Sequence, residues 1–566
     1  MLTPDRHPPS RARRRTRLSL RPETLIIVTA VFLTAFANFA FFRNARQAFN
    51  DDPQLWLHLA SMAVVLGCAL VLLFAIAGIG RALRPMLTLF LFLAASSAYY
   101  MDTYNVIIGD SMIQNILETN YQETLDLLTP RLFVYVVLLA VLPALFVWRV
   151  SLDRAPNWRR GLVRRILLIV GALLTAVVAA LPMSNFYASF IREHKELRYY
   201  SNPTTPVHSV YRHLRGLKHA RDPNQLLVAV GSDAERPAVD EDRELLVLVV
   251  GETARADRFG INGYARDTTP ELGKLDIVSF TNVHACGTST AVSVPCMFSG
   301  LGRRNYDAEV AGNRENLLDV LENAGVSVLW RDNNSSSKGV ADRVEFQDFR
   351  KPEVNPVCDV ECRDEGMLHE LDQWVDAQGS RDLLVVLHSM GSHGPAYYKR
   401  YPPAFKRFTP ECETSQLDEC TDEQIGNTYD NTIAYTDHFL AQVIDWLKSK
   451  SEGFETAMLY FSDHGESLGE YGVYLHGLPY QFAPETQTHV PAILWLGPSL
   501  DGVDLAAVRA ARDAPYTHDS LFHTVLGFFE LDTGVYDPKV DMLRYNDREP
   551  ARAHLLEKRQ AVTGAP

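Results

Sequence analysis

Five apolar runs crowd the first third of this chain, at about residues 24–42, 55–80, 86–101, 132–148 and 163–182, each near the roughly 20 residues that cross a bilayer. Hydrocarbon offers no water to backbone N–H and C=O groups, so runs of this kind must be helical. A signal peptide is the alternative for the first run, because basic residues precede it and Ala35, Ala37 and Ala40 imitate a cleavage site. The run is longer than the roughly 7–15 residues of a signal core, and further spans follow. The sequence therefore predicts an α-helical transmembrane domain of five spans, 23–182, after a basic amino-terminal segment, 1–22.

Arginine placement sets the orientation. Seven arginines lie between Arg6 and Arg21, Arg81 and Arg84 mark the second short loop, and six lie between Arg149 and Arg165. The intervening loops, 43–54 and 102–131, hold only Arg43, Arg46 and Arg131 beside several carboxylates. The positive-inside rule then puts the amino terminus in the cytoplasm, and five crossings leave the carboxyl-terminal part outside.

Cysteine usage tests that assignment independently, since disulfides persist only in oxidising compartments. Six of the seven cysteines lie in the outer part, as Cys286 and Cys296, Cys358 and Cys362, and Cys412 and Cys420. Three local bridges are the natural reading. A cysteine-ligated zinc is the rival, and no CxxC spacing supports it. Cys68 falls inside an apolar span and reads as a small buried hydrophobe. Charge divides in the same place: through residue 182, eighteen arginines and no lysine oppose ten carboxylates, a balance of +8, so the remainder carries −21 of the net −13. Such an acidic outer part argues against nucleic-acid binding.

Residues 183–243 read as a linker, with HKELRYYSNPTTPVHSVYRHL suited to a membrane surface and GSDAERPAVDEDRE an acidic connector. From 244 to 566 the pattern is α/β. The buried-strand runs LLVLVV, VSVLW, LLVVLH, AMLYFS and AILWLG alternate with helical stretches, among them ENLLDVLENAG, EGMLHELDQWVDAQG and NTIAYTDHFLAQVIDWLKSK. Continuous apolar strands separated by helices imply a mostly parallel sheet between helices.

Ligands of such sheets bind beyond the carboxyl ends of the strands. Glu252 follows LLVLVVG, Asp463 and His464 follow AMLYFS, and His393 follows LLVVLHSMGS, so four candidate groups leave three strand ends. Thr290 stands between Cys286 and Cys296 in HACGTSTAVSVPC. A threonine alcohol is a poor nucleophile unless a base or a cation stabilises its alkoxide. Glu252, Asp463, His464 and the Thr290 oxygen make a plausible four-coordinate zinc set in which one ligand is also the nucleophile. Taken alone, GET could merely start a helix and DHG could be only a turn.

The motifs VVGETARADRFGINGY, CGTSTAVSVPCMFS, WRDNNSSSKGV, GSHGPAYYKRY, FSDHGESLGE and YLHGLPY resemble those of the membrane-anchored phosphoethanolamine transferases that modify lipid A, members of the alkaline phosphatase and sulfatase superfamily. The resemblance covers nearly the whole chain. It implies a sulfatase-type α/β periplasmic domain on five spans in a bacterial inner membrane. It makes Glu252, Thr290, Asp463 and His464 ligands of one tightly bound zinc, leaving a second zinc open, with Thr290 accepting the phosphoethanolamine group. Ser335, Lys338, His393 and His476 match substrate-binding and second-metal positions. Lys338 and Ser335 suit phosphate oxygens, and the two histidines suit proton transfer, with acid and base not told apart. In SMIQNILETNYQETLDLL, Asn115, Thr119 and Glu123 recur every fourth residue and would share one face if that loop is helical; by the resemblance they contact the ethanolamine headgroup.

The function so implied moves phosphoethanolamine from phosphatidylethanolamine through Thr290 to a lipid A phosphate, releasing diacylglycerol. The product gains an ammonium and masks anionic charge, which implies resistance to polymyxin, colistin and other cationic peptides. A monomer is expected. A core sugar or a periplasmic glucan is the alternative acceptor, and a non-catalytic membrane sensor the alternative class.

Overall fold

The structure, a computed structural model, describes residues 18–118, 121–219, 227–236 and 243–545. The chain divides into two compact units, Met1–Asp102 with Thr129–Val207, and Thr103–Leu128 with His208–Pro566.

Leu55–Ala77, Gly80–Tyr104, Pro130–Arg149 and Trp158–Glu193 are long and apolar enough to cross a membrane, and Pro22–Phe36 with Phe39–Ala48 forms a fifth candidate bent by 54°. The bend falls inside the run expected to be a single span. Its cause is polar. Asn38 donates its side-chain amide to the carbonyls of Leu33 at 2.9 Å and Asn202 at 2.8 Å, and accepts the Asn202 backbone N–H at 2.8 Å. The Asn202 amide donates in turn to the carbonyls of Ala37 at 2.9 Å and Ala94 at 2.7 Å. Backbone groups released where the helix breaks are thus met by two buried asparagines, which an apolar environment demands. The stretch expected as a linker is largely helical where described, with α-helices Ser184–Glu193 and Thr204–His219.

The second unit is built on an eight-stranded sheet of β1 (Glu244–Gly251), β2 (Ile277–His284), β3 (Ser327–Asp332), β4 (Glu345–Asp348), β5 (Leu383–His388), β6 (Glu455–Ser462), β7 (His489–Leu496) and β8 (Tyr516–Thr517), in the order β8-β2-β7-β6-β1-β5-β3-β4. Only β7 runs antiparallel to its neighbours, so the sheet is mostly parallel as expected. β1 lies inside it and every one of its residues is buried. Alternate side chains enter different cores. Leu246, Leu248 and Val250 pack with Val294 and Phe298 of helix α1 (Thr290–Phe298) and with Leu521 and Val525 of helix α3 (Asp519–Phe528). Leu245, Val247 and Val249 pack with Tyr429, Ile433 and Leu440 of helix α2 (Asp422–Lys448). Burial on both faces explains why these strands read as unbroken apolar runs.

Two helical stretches differ from expectation. α2 begins well before Asn431, at a capping box in which Thr421 and Gln424 satisfy each other's backbone N–H groups. The run 365–379 is not one helix but a 3₁₀ turn, Asp364–Leu368, then Leu371–Ala377, parted at Glu370 with φ 54°. The Arg331 guanidinium takes the carbonyls of Met367 at 2.5 Å and His369 at 2.7 Å, groups a continuous helix would need. Residues 103–128 belong to this unit too: Tyr104 donates to the Ser415 carbonyl at 3.0 Å, Ser209 to the Ile108 carbonyl at 3.1 Å, and Lys399 pairs with Asp126.

Replacing Asn202 by Ala removes the side-chain donor to the Ala37 carbonyl at the helix break, while the Ala94 carbonyl keeps its place in the ladder of helix Leu83–Tyr104. A loss of about 1–3 kcal/mol is expected, measured as a lowered melting temperature of the detergent-solubilised chain.

Candidate metal centre and nucleophile

Strand register assembles the site. β1 and β6 are parallel neighbours with Gly251 opposite Ser462, so the residues that follow, Glu252 and Asp463, emerge side by side. The Asp463 N–H donates to the Gly251 carbonyl at 2.9 Å and seals that exit. Thr290 opens α1, whose nine residues direct the positive end of the helix dipole at it. Gly287 lets the loop close onto this helix, since a Cβ there would meet Val292 Cγ1 at 2.8 Å and the Ser293 nitrogen at 3.1 Å. The Cys286–Cys296 bridge spans the same turn, and Cys358–Cys362 and Cys412–Cys420 are also paired, while Cys68 is free and buried.

Glu252, Asp463 and His464 are all buried, with candidate ligand atoms within 4.8 Å of one another. Thr290 Oγ1 donates to Glu252 Oε2 at 3.0 Å and lies 3.3 Å from His464 Nε2. His464 Nε2 is also 3.3 Å from Glu252 Oε1 and 3.3 Å from Asp463 Oδ2. Each donor is aimed by its surroundings. Asp463 Oδ1 accepts the N–H groups of Thr253 at 3.1 Å and His464 at 2.7 Å, whereas Oδ2 accepts no hydrogen bond among the described residues. His464 Nδ1 faces the Gly465 carbonyl at 2.9 Å and must carry a proton there, which leaves Nε2 to offer a lone pair. Asn334 donates to Glu252 Oε2 at 2.8 Å.

A buried carboxylate oxygen with no donor, a second carboxylate, an imidazole lone pair and an alcohol fit a tetrahedral zinc site. The electrostatics agree. Burial pushes the Glu252 carboxyl up, but hydrogen bonding and charge from His464, with the charges of His393 and His476, hold it well below the usual range. Burial and the Glu252 charge push Asp463 up to about 6. Burial opposes a charge on His464, yet Asp463 and Glu252 push it up to about 10. Two carboxylates thus crowd one imidazole in a buried place, a concentration of negative charge that a cation would offset.

Beside this group the structure places two of the other expected residues, His476 and His393. The rings of His476 and His464 lie 4.2 Å apart between centroids, and those of His393 and His476 6.1 Å. Ser335 and Lys338 follow β3 on a tight loop where Ser336 and Lys338 have φ of 107° and 52°, and the Ser335 N–H donates to Asn334 Oδ1 at 2.6 Å. Thr119 lies outside the described residues, as do the side chains of Asn115 and Glu123.

Four residues that the sequence reading passed over also shape the site. Asn334 and Glu466 lie within motifs already singled out. Glu466 is fully buried, its carboxyl pushed well above the ordinary range by burial, and its Oε2 faces His476 Nδ1 at 3.2 Å. Thr253 touches both carboxylates. His518 had no local signal: its Nε2 donates to the Ser462 carbonyl at 2.9 Å and its Nδ1 accepts the Cys286 N–H at 3.1 Å. It ties the loop of Thr290 to the strand end of Asp463, and burial pulls its pKa down to about 3.

Comparison with known proteins places this geometry. A family model described as Sulfatase matches residues 244–531, and one described as Phosphoethanolamine transferase EptA/EptB matches residues 66–217. The chain is 43% identical to Phosphatidylethanolamine transferase Mcr-1 of Escherichia coli over 534 residues, 91% of this chain and 96% of the relative. It is 42% identical to Phosphoethanolamine transferase EptA of Salmonella typhimurium over 470 residues, 81% of this chain and 85% of the relative. The integral membrane lipooligosaccharide phosphoethanolamine transferase A of Neisseria meningitidis superposes with a TM-score of 0.88 at 34% identity, covering 93% of this chain and 99% of that one.

Two outcomes check this description. Elemental analysis of the purified chain should find about one zinc per molecule and only traces in His464→Ala; equimolar zinc in the variant would break the assignment. For His518, a folded pKa of about 3 against 6.5 means that its stabilisation is complete above 6.5 and is lost as pH falls toward 3. The loss amounts to roughly 1.4 kcal/mol per pH unit. Melting temperatures over that window should therefore fall less steeply in His518→Gln than in the parent.

Proposed function

This chain belongs to the lipid A phosphoethanolamine transferase family of the sulfatase and alkaline phosphatase superfamily, and from that premise we propose that it carries phosphoethanolamine from phosphatidylethanolamine to a lipid A phosphate by way of Thr290. The observation that carries the reading is the buried convergence of Thr290 Oγ1 with Glu252, Asp463 and His464.

Glu252, Asp463, His464 and Thr290 would hold one zinc. Bound there, zinc would lower the pKa of the Thr290 hydroxyl and offset charge on the phosphoryl group. In the first half-reaction Thr290 Oγ1 bonds to phosphorus, the bond from phosphorus to the glycerol oxygen breaks, and that oxygen leaves with a proton as diacylglycerol. In the second, a lipid A phosphate oxygen bonds to the same phosphorus and Thr290 regains its hydroxyl. Two displacements give net retention at phosphorus. His476, held from behind by Glu466, and His393 beside it are the proton carriers: one protonates the departing alkoxide and the other receives the acceptor's proton. Lys338 and Ser335 meet phosphate oxygens, while Asn115, Thr119 and Glu123 meet the ethanolamine ammonium.

The enzyme works in the bacterial inner membrane as a monomer, with residues 1–22 cytoplasmic, 23–182 spanning, 183–243 linking and 244–566 periplasmic. Donor and acceptor are both lipids, so a membrane anchor keeps the enzyme where they occur together. The added ammonium masks anionic charge on lipid A and weakens binding of polymyxins.

Expression in cells with unmodified lipid A tests the proposal. The chain should add phosphoethanolamine to lipid A by mass spectrometry, and Thr290→Ala should add none; modification unchanged in that variant removes Thr290 as the nucleophile. Phosphoethanolamine appearing on core sugars or glucan in place of lipid A would move the acceptor while leaving the nucleophile untouched.

A further inference from the structure

Thr253, the residue after Glu252, holds a backbone conformation that its side chain disfavours. Its φ is 61°, in the left-handed region, and it is completely buried. β-Branched residues rarely adopt that region, and where one does so the surroundings must hold it there. Three contacts do so. The Thr253 N–H donates to Asp463 Oδ1 at 3.1 Å, its hydroxyl donates to Glu252 Oε1 at 2.5 Å, and its carbonyl accepts the Tyr429 hydroxyl at 2.7 Å. Tyr429 is itself buried on α2, and its hydroxyl also accepts the Arg255 N–H at 3.0 Å, so the turn is fastened to the helix that covers this face of the sheet.

One residue therefore touches both carboxylates of the metal group from adjacent strand ends. Its N–H takes Asp463 Oδ1, and Oδ2 is left toward His464. Its hydroxyl holds Glu252 Oε1 while Asn334 holds Oε2, which fixes the plane of that carboxylate. Hydrogen bonds of this kind set the rotation of metal ligands, and their loss weakens metal binding without removing a ligand.

We propose that Thr253 is a positioning residue whose left-handed turn aims Glu252 and Asp463 together at the zinc. The inference rests on the zinc reading of the site.

The test measures zinc affinity of the full-length chain in detergent by competition with a chromophoric chelator, alongside the melting temperature of the metal-free form. Thr253→Val keeps the branched shape and the N–H but removes the hydroxyl; its zinc Kd should rise by about 10- to 100-fold, with the metal-free melting temperature little changed. Thr253→Ser restores the hydroxyl and should bind within about threefold of the parent, well inside that range. If the valine variant does not fold, Thr253→Ala removes the same hydroxyl without adding a methyl group and is read in the same way. Zinc affinity equal to the parent in the variants lacking the hydroxyl, or affinity in Thr253→Ser as weak as theirs, overturns the proposal. A parent chain that takes up no zinc overturns the site assignment and this proposal with it, so the two failures read differently.

Discussion

Parallel pairing of β1 with β6 is the constraint from which the rest of the site follows. With Gly251 opposite Ser462, the chain leaves two neighbouring strands at the same height and in the same direction. Glu252 and Asp463, more than two hundred residues apart in sequence, become adjacent without either loop having to reach. Register in a two-faced buried sheet is strictly set, because a slip of one residue would exchange the core faces of Leu246, Leu248 and Val250 with those of Leu245, Val247 and Val249. The precision of the metal group is therefore borrowed from hydrophobic packing some distance from it.

Bringing two carboxylates together in a buried place is costly, and the surroundings limit that cost. Backbone N–H groups of Thr253 and His464 saturate one oxygen of Asp463, and Asn334, Thr253 and Thr290 donate to Glu252. Asp463 Oδ2, which accepts no hydrogen bond among the described residues, is the oxygen left available to a cation. The same economy governs the nucleophile. His518, kept neutral by burial, bridges Cys286 and Ser462 and so ties the loop of Thr290 to the strand end of Asp463.

The membrane-spanning unit solves a related problem with the same tools. Its bent first helix leaves backbone carbonyls at the break that hydrocarbon cannot satisfy, and Asn38 and Asn202 donate to those of Leu33 and Ala37 from within the protein. In both units, irregular backbone is tolerated because a buried polar side chain answers it.

The residues Glu252, Thr290, Asp463 and His464 were legible as a set because each follows a strand run or stands in a short motif, and a parallel sheet opens its strand ends on one edge. The mostly parallel sheet was legible in its unbroken apolar runs, and the cysteine pairs in their short separations. Asn334 and Glu466 sat in view within quoted motifs, yet nothing local distinguished a donor to a ligand from a loop residue. His518 carried no signal, since its role comes from pairing of β8 beside β2. The break at Glu370 depended on Arg331 taking carbonyls from a distant strand, and the bend at Asn38 on Asn202 reaching back across the unit. Sequence alone determined which groups exist and how apolar and charged runs follow one another, because periodicity and charge are properties of neighbours along the chain. Tertiary structure alone decided which oxygen of each carboxylate is occupied, which imidazole nitrogen is free and why Thr253 is strained, because those depend on hydrogen bonds between segments that meet only when the sheet is complete.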